Sequence, residues 1–304
     1  MHSLLSSIGN TPMVRLQRIT PSNHAEIWIK IEGMNPTGSY KDRMVVAQLR
    51  HAIDSGQLDK AIPLECTGGS TGTSLAFACA AMGTSSAIIT SDAFSQDKTD
   101  SMRAFGANVI IEKSEDGQIT PDLWQKMRNR AMAMHESGSH VWLDQFRNPS
   151  TISAFEPFAQ EILSVLPHID AFCAAVGTAG MLMGTGIRLR RDLPDVEIIA
   201  VEPESCSVLS GGAAGPHTVD GTAAGFIPPL YDETLVDAVL AIPEKDARKM
   251  CQRLAQEEGI FAGTSTGLNV CAALRIAARL RPNQRVVTVA CDTGFKYMSS
   301  HLFC

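Results

Sequence analysis

The segment Asn35-Pro36-Thr37-Gly38-Ser39-Tyr40-Lys41-Asp42-Arg43 sets one lysine between turn residues and a positively charged neighbour. A free lysine amine titrates at about 10.4, whereas forming a Schiff base needs the neutral amine in a partly desolvated pocket. Arg43, a like charge nearby, pushes Lys41 in that direction. The competing interpretation puts Lys41 and Arg43 on a solvated helix turn beside Asp42. Three Gly-rich turns weigh against it: Thr67-Gly68-Gly69-Ser70-Thr71-Gly72, Gly177-Thr178-Ala179-Gly180-Met181 and Gly263-Thr264-Ser265-Thr266-Gly267. The first two follow short apolar strand patterns (Leu64-Glu65-Cys66 and Phe172 to Val176), and all three open helical patterns. Each can therefore present backbone N–H groups to an anion at a helix N-terminus.

The second turn invites comparison with the dinucleotide fingerprint, because Glu202 lies about the right distance downstream to hold a ribose. Its spacing fails. Starting GxGxxG at Gly177 puts Ala179 and Leu182 at the later glycines, and starting it at Gly180 puts Leu182 and Thr185 there. A single phosphate group held by residues 177 to 181 fits better than a pyrophosphate.

The elements that must position these residues alternate short apolar runs with helical patterns closed by Gly or Pro, the rhythm of an α/β protein with mostly parallel sheets. Strands are expected near 26–31, 86–90, 108–112, 170–176, 196–201 and 285–290. Helices are expected near 71–82, 96–105, 121–135, 154–166, 180–191, 244–258 and 267–280. No solenoid-length repeat is present. The stretches 147–151 and 210–225 look like connections. Arg188, Arg190 and Arg191 suggest a helix end.

The chain has 304 residues, 44% hydrophobic and 19% charged, enough for two core-bearing lobes. A formal charge of −6, with no dense Lys/Arg cluster, excludes a nucleic-acid binder. The N-terminus has no signal pattern and no segment offers eighteen uninterrupted apolar residues, so no membrane association and a cytoplasmic location are expected. Eight scattered cysteines without a CxxC pair or histidine ligand pattern imply reduced thiols and no metal site. Cys66 reads as a packed strand cysteine and Cys304 as the most exposed. His217 is placed at a site mouth or in an exposed turn, and Met127, Met132 and Met134 as core and surface filling.

Taken in order, these segments resemble the cysteine synthase family, the pyridoxal-phosphate-dependent β-substituting enzymes of fold type II that include the tryptophan-synthase-β-like enzymes. Ile8-Gly9-Asn10-Thr11-Pro12 with Val14-Arg15-Leu16 looks like the family's opening segment, and residues 35 to 43 like its lysine motif. Ala104-Phe105-Gly106-Ala107, Gln145-Phe146, Val208 to Gly212, Gly225 to Pro228 and Asp292-Thr293-Gly294 follow its pattern. The resemblance implies two lobes, each a mostly parallel twisted sheet flanked by helices. The smaller would be residues 40–146 with the substrate loop, and the larger 1–39 and 147–304 with the phosphate loop. It implies that Lys41 carries pyridoxal 5'-phosphate as a Schiff base and removes the substrate α-proton. Gly177, Thr178, Ala179, Gly180 and Met181 would hold the phosphate, Ser265 would face the pyridine nitrogen, and Ser70 would lie at the cofactor ring. Thr67, Gly68, Gly69 and Thr71, helped by Gln145, would clamp the substrate carboxylate. A neutral hydroxyl at the ring nitrogen restrains the electron sink and suits loss of a good β-leaving group.

The implied reaction is β-replacement on O-acetyl-L-serine or a related β-substituted alanine with sulfide or another small nucleophile, through an aminoacrylate. β-Elimination, as in a cysteine desulfhydrase or a serine/threonine dehydratase, and a catalytically silent partner-binding relative are the alternatives. A homodimer and a serine acetyltransferase partner are further implications. Three departures stand out. The family's TSGNTG loop reads TGGSTG here, with Gly68 for a serine and Ser70 for an asparagine. Its GTGGT phosphate loop reads GTAGM, so Met181 lacks a hydroxyl. Cys291 and Thr293 flank Asp292 where relatives carry proline or serine, and serine.

Overall fold

The computed structural model describes residues 3–118, 120–300 and 302–303; Cys304 lies outside them. The strands are β1 (Met13–Arg15), β2 (Glu26–Ile31), β3 (Ile62–Cys66), β4 (Ala87–Ser91), β5 (Asn108–Glu112), β6 (His140–Trp142), β7 (Ala171–Ala175), β8 (Glu197–Pro203), β9 (Ala238–Ile242) and β10 (Arg285–Ala290). The helices are α1 (Lys41–Asp54), α2 (Ser70–Met82), α3 (Gln96–Ala104), α4 (Pro121–Glu136), α5 (Ser150–Ser153), α6 (Glu156–Val165), α7 (Gly180–Asp192), α8 (Glu244–Arg253) and α9 (Thr264–Ala277).

The chain divides into two compact units, one of Met1–Ile8 with Lys41–Thr151 and one of Gly9–Tyr40 with Ile152–Cys304. The first holds a four-stranded parallel sheet in the order β5-β4-β3-β6. Every residue of β4 is buried, as expected of a central parallel strand covered on both faces. Leu64, Cys66, Ala87, Ile89, Leu123, Met127 and Ala131 form its core. Met127 is therefore core, whereas Met132 is exposed. The short helical turn Leu4–Ser7 contacts α2, which explains why the first eight residues group with this unit and not with the segment that follows them.

The second unit holds a six-stranded sheet in the order β1-β2-β10-β7-β8-β9, parallel except for the edge strand β1. α9 is Ala-rich and buried along most of its length, packing on the sheet and on α8. That closeness is written into Gly267. A Cβ there would lie 2.0 Å from the Ala247 carbonyl oxygen and 2.8 Å from Cys251 Sγ. The sequence reading starts this helix at Gly267, but it begins at Thr264, so the glycine serves helix packing and not the turn. α8 ends at Arg253 and continues as a wider π-helical turn over Leu254–Glu258. Arg188 and Arg191, in the last turns of α7, pair with Asp192 and Glu156, and Arg190 with Asp237.

α1, the one-turn α5 and the strands β1, β6 and β9 have no counterpart in the expected elements. β1 and β6 are three residues long, too short to leave an alternating pattern. α1 carries Lys41, Asp42, Arg43 and Gln48 among its buried residues, so polar types mask its inward face.

Candidate functional site

In each unit, sheet order marks the place where a ligand pocket is to be expected. Parallel sheets bind ligands beyond the carboxyl ends of their strands, where the strand order reverses. In the smaller unit that point lies between β3 and β6, and the segments leaving these strands carry Thr67 to Gly72 and Gln145. In the larger unit it lies between β7 and β10, which run into residues 177–181 and 291–294.

In the smaller unit Lys41 is the first residue of α1 and is 7% exposed. The solvated-surface alternative therefore fails for this residue. Arg43 is buried too, but residues two apart on a helix point to different sides, so the sequence spacing alone does not turn its charge toward Lys41. Asp42 accepts a 2.6 Å hydrogen bond from Ser74 Oγ on α2. α2 begins at Ser70, one residue earlier than expected, so Ser70, Thr71 and Gly72 form its first turn, with Gly72 N donating to the Gly69 carbonyl at 2.9 Å.

Thr67 N donates to the Ile89 carbonyl at 3.0 Å, and Thr67 Oγ1 accepts from Gly69 N at 3.1 Å. Thr71 Oγ1 donates to Gln145 Oε1 at 2.8 Å, and Gln145 Nε2 donates to the Cys66 carbonyl at 3.4 Å. The structure thus brings Gln145 onto the loop from both ends. Beneath it lies Glu65, a buried carboxyl absent from the sequence-based candidates. It accepts from Cys66 N at 2.8 Å, Trp142 Nε1 at 3.1 Å and Gln145 N at 3.2 Å. Burial pushes its pKa up to about 7 against the pull of these donors, and Asp144 adds to the rise. A glutamate inside an otherwise apolar strand was the available signal. Cys66 is packed and its thiol is pushed up by burial, as its strand position suggests.

In the larger unit the residues leading to Lys41 are fixed by a buried polar network. Lys30, 1% exposed, donates to the Thr11 carbonyl at 2.6 Å and to Thr11 Oγ1 at 2.8 Å, and pairs with Glu161 at 2.7 Å. Thr11 Oγ1 donates to Glu32 Oε1, Asn35 Nδ2 donates to Glu32 Oε2, and Gly9 N donates to Asn35 Oδ1. The opening segment and the start of the lysine motif, distant in sequence, are parts of one network. Tyr40 N then donates to the Cys291 carbonyl at 3.1 Å.

Residues 177–181 form the turn from β7 into α7. Ala179 adopts the left-handed conformation, φ +71°, as the residue preceding the helix. This is a glycine-like geometry held by an alanine, at a cost of roughly 1 kcal/mol. A Cβ on Gly177 would lie 2.3 Å from the Gly221 carbonyl oxygen, which a backbone atom cannot yield. The first amides of this 13-residue helix, beside a position without a side chain, have the donor chemistry of a phosphate cradle. Met181 adds a backbone N–H but an apolar side chain. The residues fit a phosphorylated cofactor.

Ser265, in the first turn of α9, is buried. Asn269, one turn further, was missed by sequence reasoning. Its Oδ1 accepts from Ala175 N at 2.7 Å and its Nδ2 donates to the Val289 carbonyl at 2.9 Å, tying the ends of β7 and β10 together. Glu202, weighed above as a ribose ligand, accepts instead from Leu209 N, Ser210 N and Ser210 Oγ at 2.7–3.0 Å. His217 is half-buried, its Nε2 bonded to the Ala223 carbonyl and its Nδ1 accepting from Val219 N, and so pins its own loop. Among the described residues no His/Cys/Asp/Glu group could hold a metal, and no helix is long and apolar enough to cross a membrane.

Comparison with known proteins accounts for this arrangement. A family model described as pyridoxal-phosphate dependent enzyme matches residues 4–292. A cysteine synthase of Staphylococcus aureus is 35% identical over 300 residues, covering 97% of this chain and 95% of the relative. Cysteine synthase B of Salmonella typhimurium is 37% identical over 306 residues, covering 100% and 96%. Among solved structures, an O-ureido-L-serine synthase aligns with a TM-score of 0.93 at 34% identity, covering 100% of this chain and 95% of that one. O-acetyl serine sulfhydrylase isoform 3 from Entamoeba histolytica aligns with a TM-score of 0.93 at 32% identity, covering 100% and 91%. With one family model spanning nearly the whole chain and relatives matched along their full length, the chain belongs to the pyridoxal-phosphate-dependent enzymes of the cysteine synthase type.

Proposed function

We propose that this chain makes L-cysteine by β-replacement, exchanging the acetoxy group of O-acetyl-L-serine for sulfide and releasing acetate. The observation that carries the reading is Lys41, a lysine kept out of water at the first residue of α1 within the family's own motif. Relatives named cysteine synthase, 35% and 37% identical along the whole chain, support it.

Pyridoxal phosphate, when bound, withdraws electrons from the substrate's Cα, acidifying its proton and favouring departure of the β-substituent. Lys41 Nζ would anchor it and would be the base for the substrate's Cα proton. The N–H groups of Gly177, Thr178, Ala179, Gly180 and Met181 hold the phosphate at the start of α7. Ser265 would offer a neutral hydroxyl to the ring nitrogen, and Ser70 would face the ring where the family pattern has asparagine. Thr67, Gly68, Gly69 and Thr71 bind the donor carboxylate with Gln145, whose bonds to Thr71 and Cys66 fix the loop from which they act.

The purified protein loaded with pyridoxal phosphate should absorb in the visible, change colour with O-acetylserine and recover on adding sulfide, with cysteine and acetate appearing in equal amounts. Lys41→Ala should lose the lysine-dependent absorption and turn over at least a thousandfold more slowly. A colourless loaded protein, or a colour indifferent to every β-substituted alanine, would refute the reading. The homodimer, the serine acetyltransferase partner and the cytoplasmic location of the family belong to the same reading, and sedimentation with and without the acetyltransferase measures the first two.

A further inference from the structure

The substrate loop contains three glycines, and side chains from one stripe face all three. Where a Cβ on Gly68 would stand, Phe94 places Cε1 at 2.3 Å, Cδ1 at 2.5 Å and Cζ at 2.6 Å. A Cβ on Gly69 would meet Lys98 Cδ at 3.4 Å, and one on Gly72 would meet Met102 Cε at 2.6 Å. Phe94, Lys98 and Met102 are spaced four apart, leading into and along α3, so they follow one helical face. All of these residues lie in the smaller unit.

The three positions are not equivalent. None of these glycines has a positive φ, but Gly69, at φ −166° and ψ −127°, lies outside the regions open to L-residues. Lys98 approaches position 69 only at ordinary contact distance. The family pattern retains glycine at 69 and 72 but carries serine at 68. Gly68 is thus the departure, and Phe94 is its physical cause, because the ring fills the volume a serine Cβ requires. The ring is partly buried. It packs edge-on against Trp124 with centroids 5.8 Å apart and joins the core under β3 and β4.

We propose that Phe94 is a positioning residue for the donor amino acid: by occupying the side-chain space of position 68, it fixes the conformation in which the substrate loop presents its N–H groups to the donor carboxylate. This rests on the assignment of Thr67 to Gly72 as the donor loop. Phe94 touches neither donor nor cofactor in this account and acts through Gly68. The loop is set by an aromatic wedge where its relatives use a serine.

A double-mutant cycle over Gly68→Ser and Phe94→Ala tests this. Gly68→Ser alone should lower the melting temperature and raise the KM for O-acetylserine at least tenfold, more than it lowers kcat. Adding Phe94→Ala to it should recover both, bringing KM to within threefold of Phe94→Ala alone. The melting-temperature arm reads the wedge without any turnover. Additive effects, a harmless Gly68→Ser, or recovered stability with KM unmoved would each overturn the proposal while leaving the enzymatic reading intact. A protein that takes up cofactor but responds to no donor would instead overturn that reading, and with it the role given to Phe94.

Discussion

Glu65 shows how one residue can couple stability to a loop. Its carboxyl is buried at the end of β3 among Cys66, Trp142, Asp144 and Gln145, with the Arg128 guanidinium lying over the Trp142 ring at 5.6 Å. Burial raises its pKa from 4.5 to about 7. A raised acid holds its proton more tightly in the folded state, so its stabilising contribution is complete below about pH 4.5 and is lost as pH rises toward about 7. Across that window the slope is of order 1 kcal/mol per pH unit. Glu65→Gln should remove this slope in denaturation measured at about pH 5 and about pH 7.5. It should also weaken the fixation of Gln145, because an amide cannot accept from all three N–H donors. An unchanged slope would show that Glu65 is ionised in the fold.

At the scale of elements, the two strand-order reversals depend on single polar residues that bind strand ends together. Asn269 does this for β7 and β10 with two hydrogen bonds to backbone groups. Asn269→Ala strands a buried N–H and a buried carbonyl, which should cost about 2–4 kcal/mol. The turn at 177–181 begins two residues beyond Ala175, so the variant should also release pyridoxal phosphate faster during dialysis. A stable variant with normal retention would show that other contacts fix β7. Most of the long elements were legible from sequence. β2, β5 and β10 match the expected ranges, because short, mostly apolar and β-branched runs between turn residues leave little alternative. Lys41, the loop glycines and the 177–181 turn were legible because their chemistry requires particular residue types close together in sequence. Glu65, Asn269 and Phe94 were not, since each acts on segments 20 or more residues away through a packing relation that spacing does not encode. α1 was missed for a related reason: its buried polar face reads as surface until its partners are known.

The chain forms two compact units and passes from one to the other after Ile8, Tyr40 and Thr151. Each unit has its own sheet and core. A ligand bound only by the folded protein stabilises it by mass action, about 2.7 kcal/mol at a hundredfold excess over its dissociation constant. For a chain of this size that amounts to a few degrees in melting temperature. Removing pyridoxal phosphate with a carbonyl-trapping reagent and dialysing should therefore lower the melting temperature, and adding it back should restore it. Lys41→Ala keeps the phosphate turn but lacks the amine, so it should recover only part of the shift and need more cofactor to do so. Ala179→Gly relaxes the left-handed residue at that turn and keeps its N–H groups, so it should respond to cofactor as fully as the parent. Equal melting temperatures with and without cofactor would detach both Lys41 and the 177–181 turn from cofactor binding, whatever the turnover.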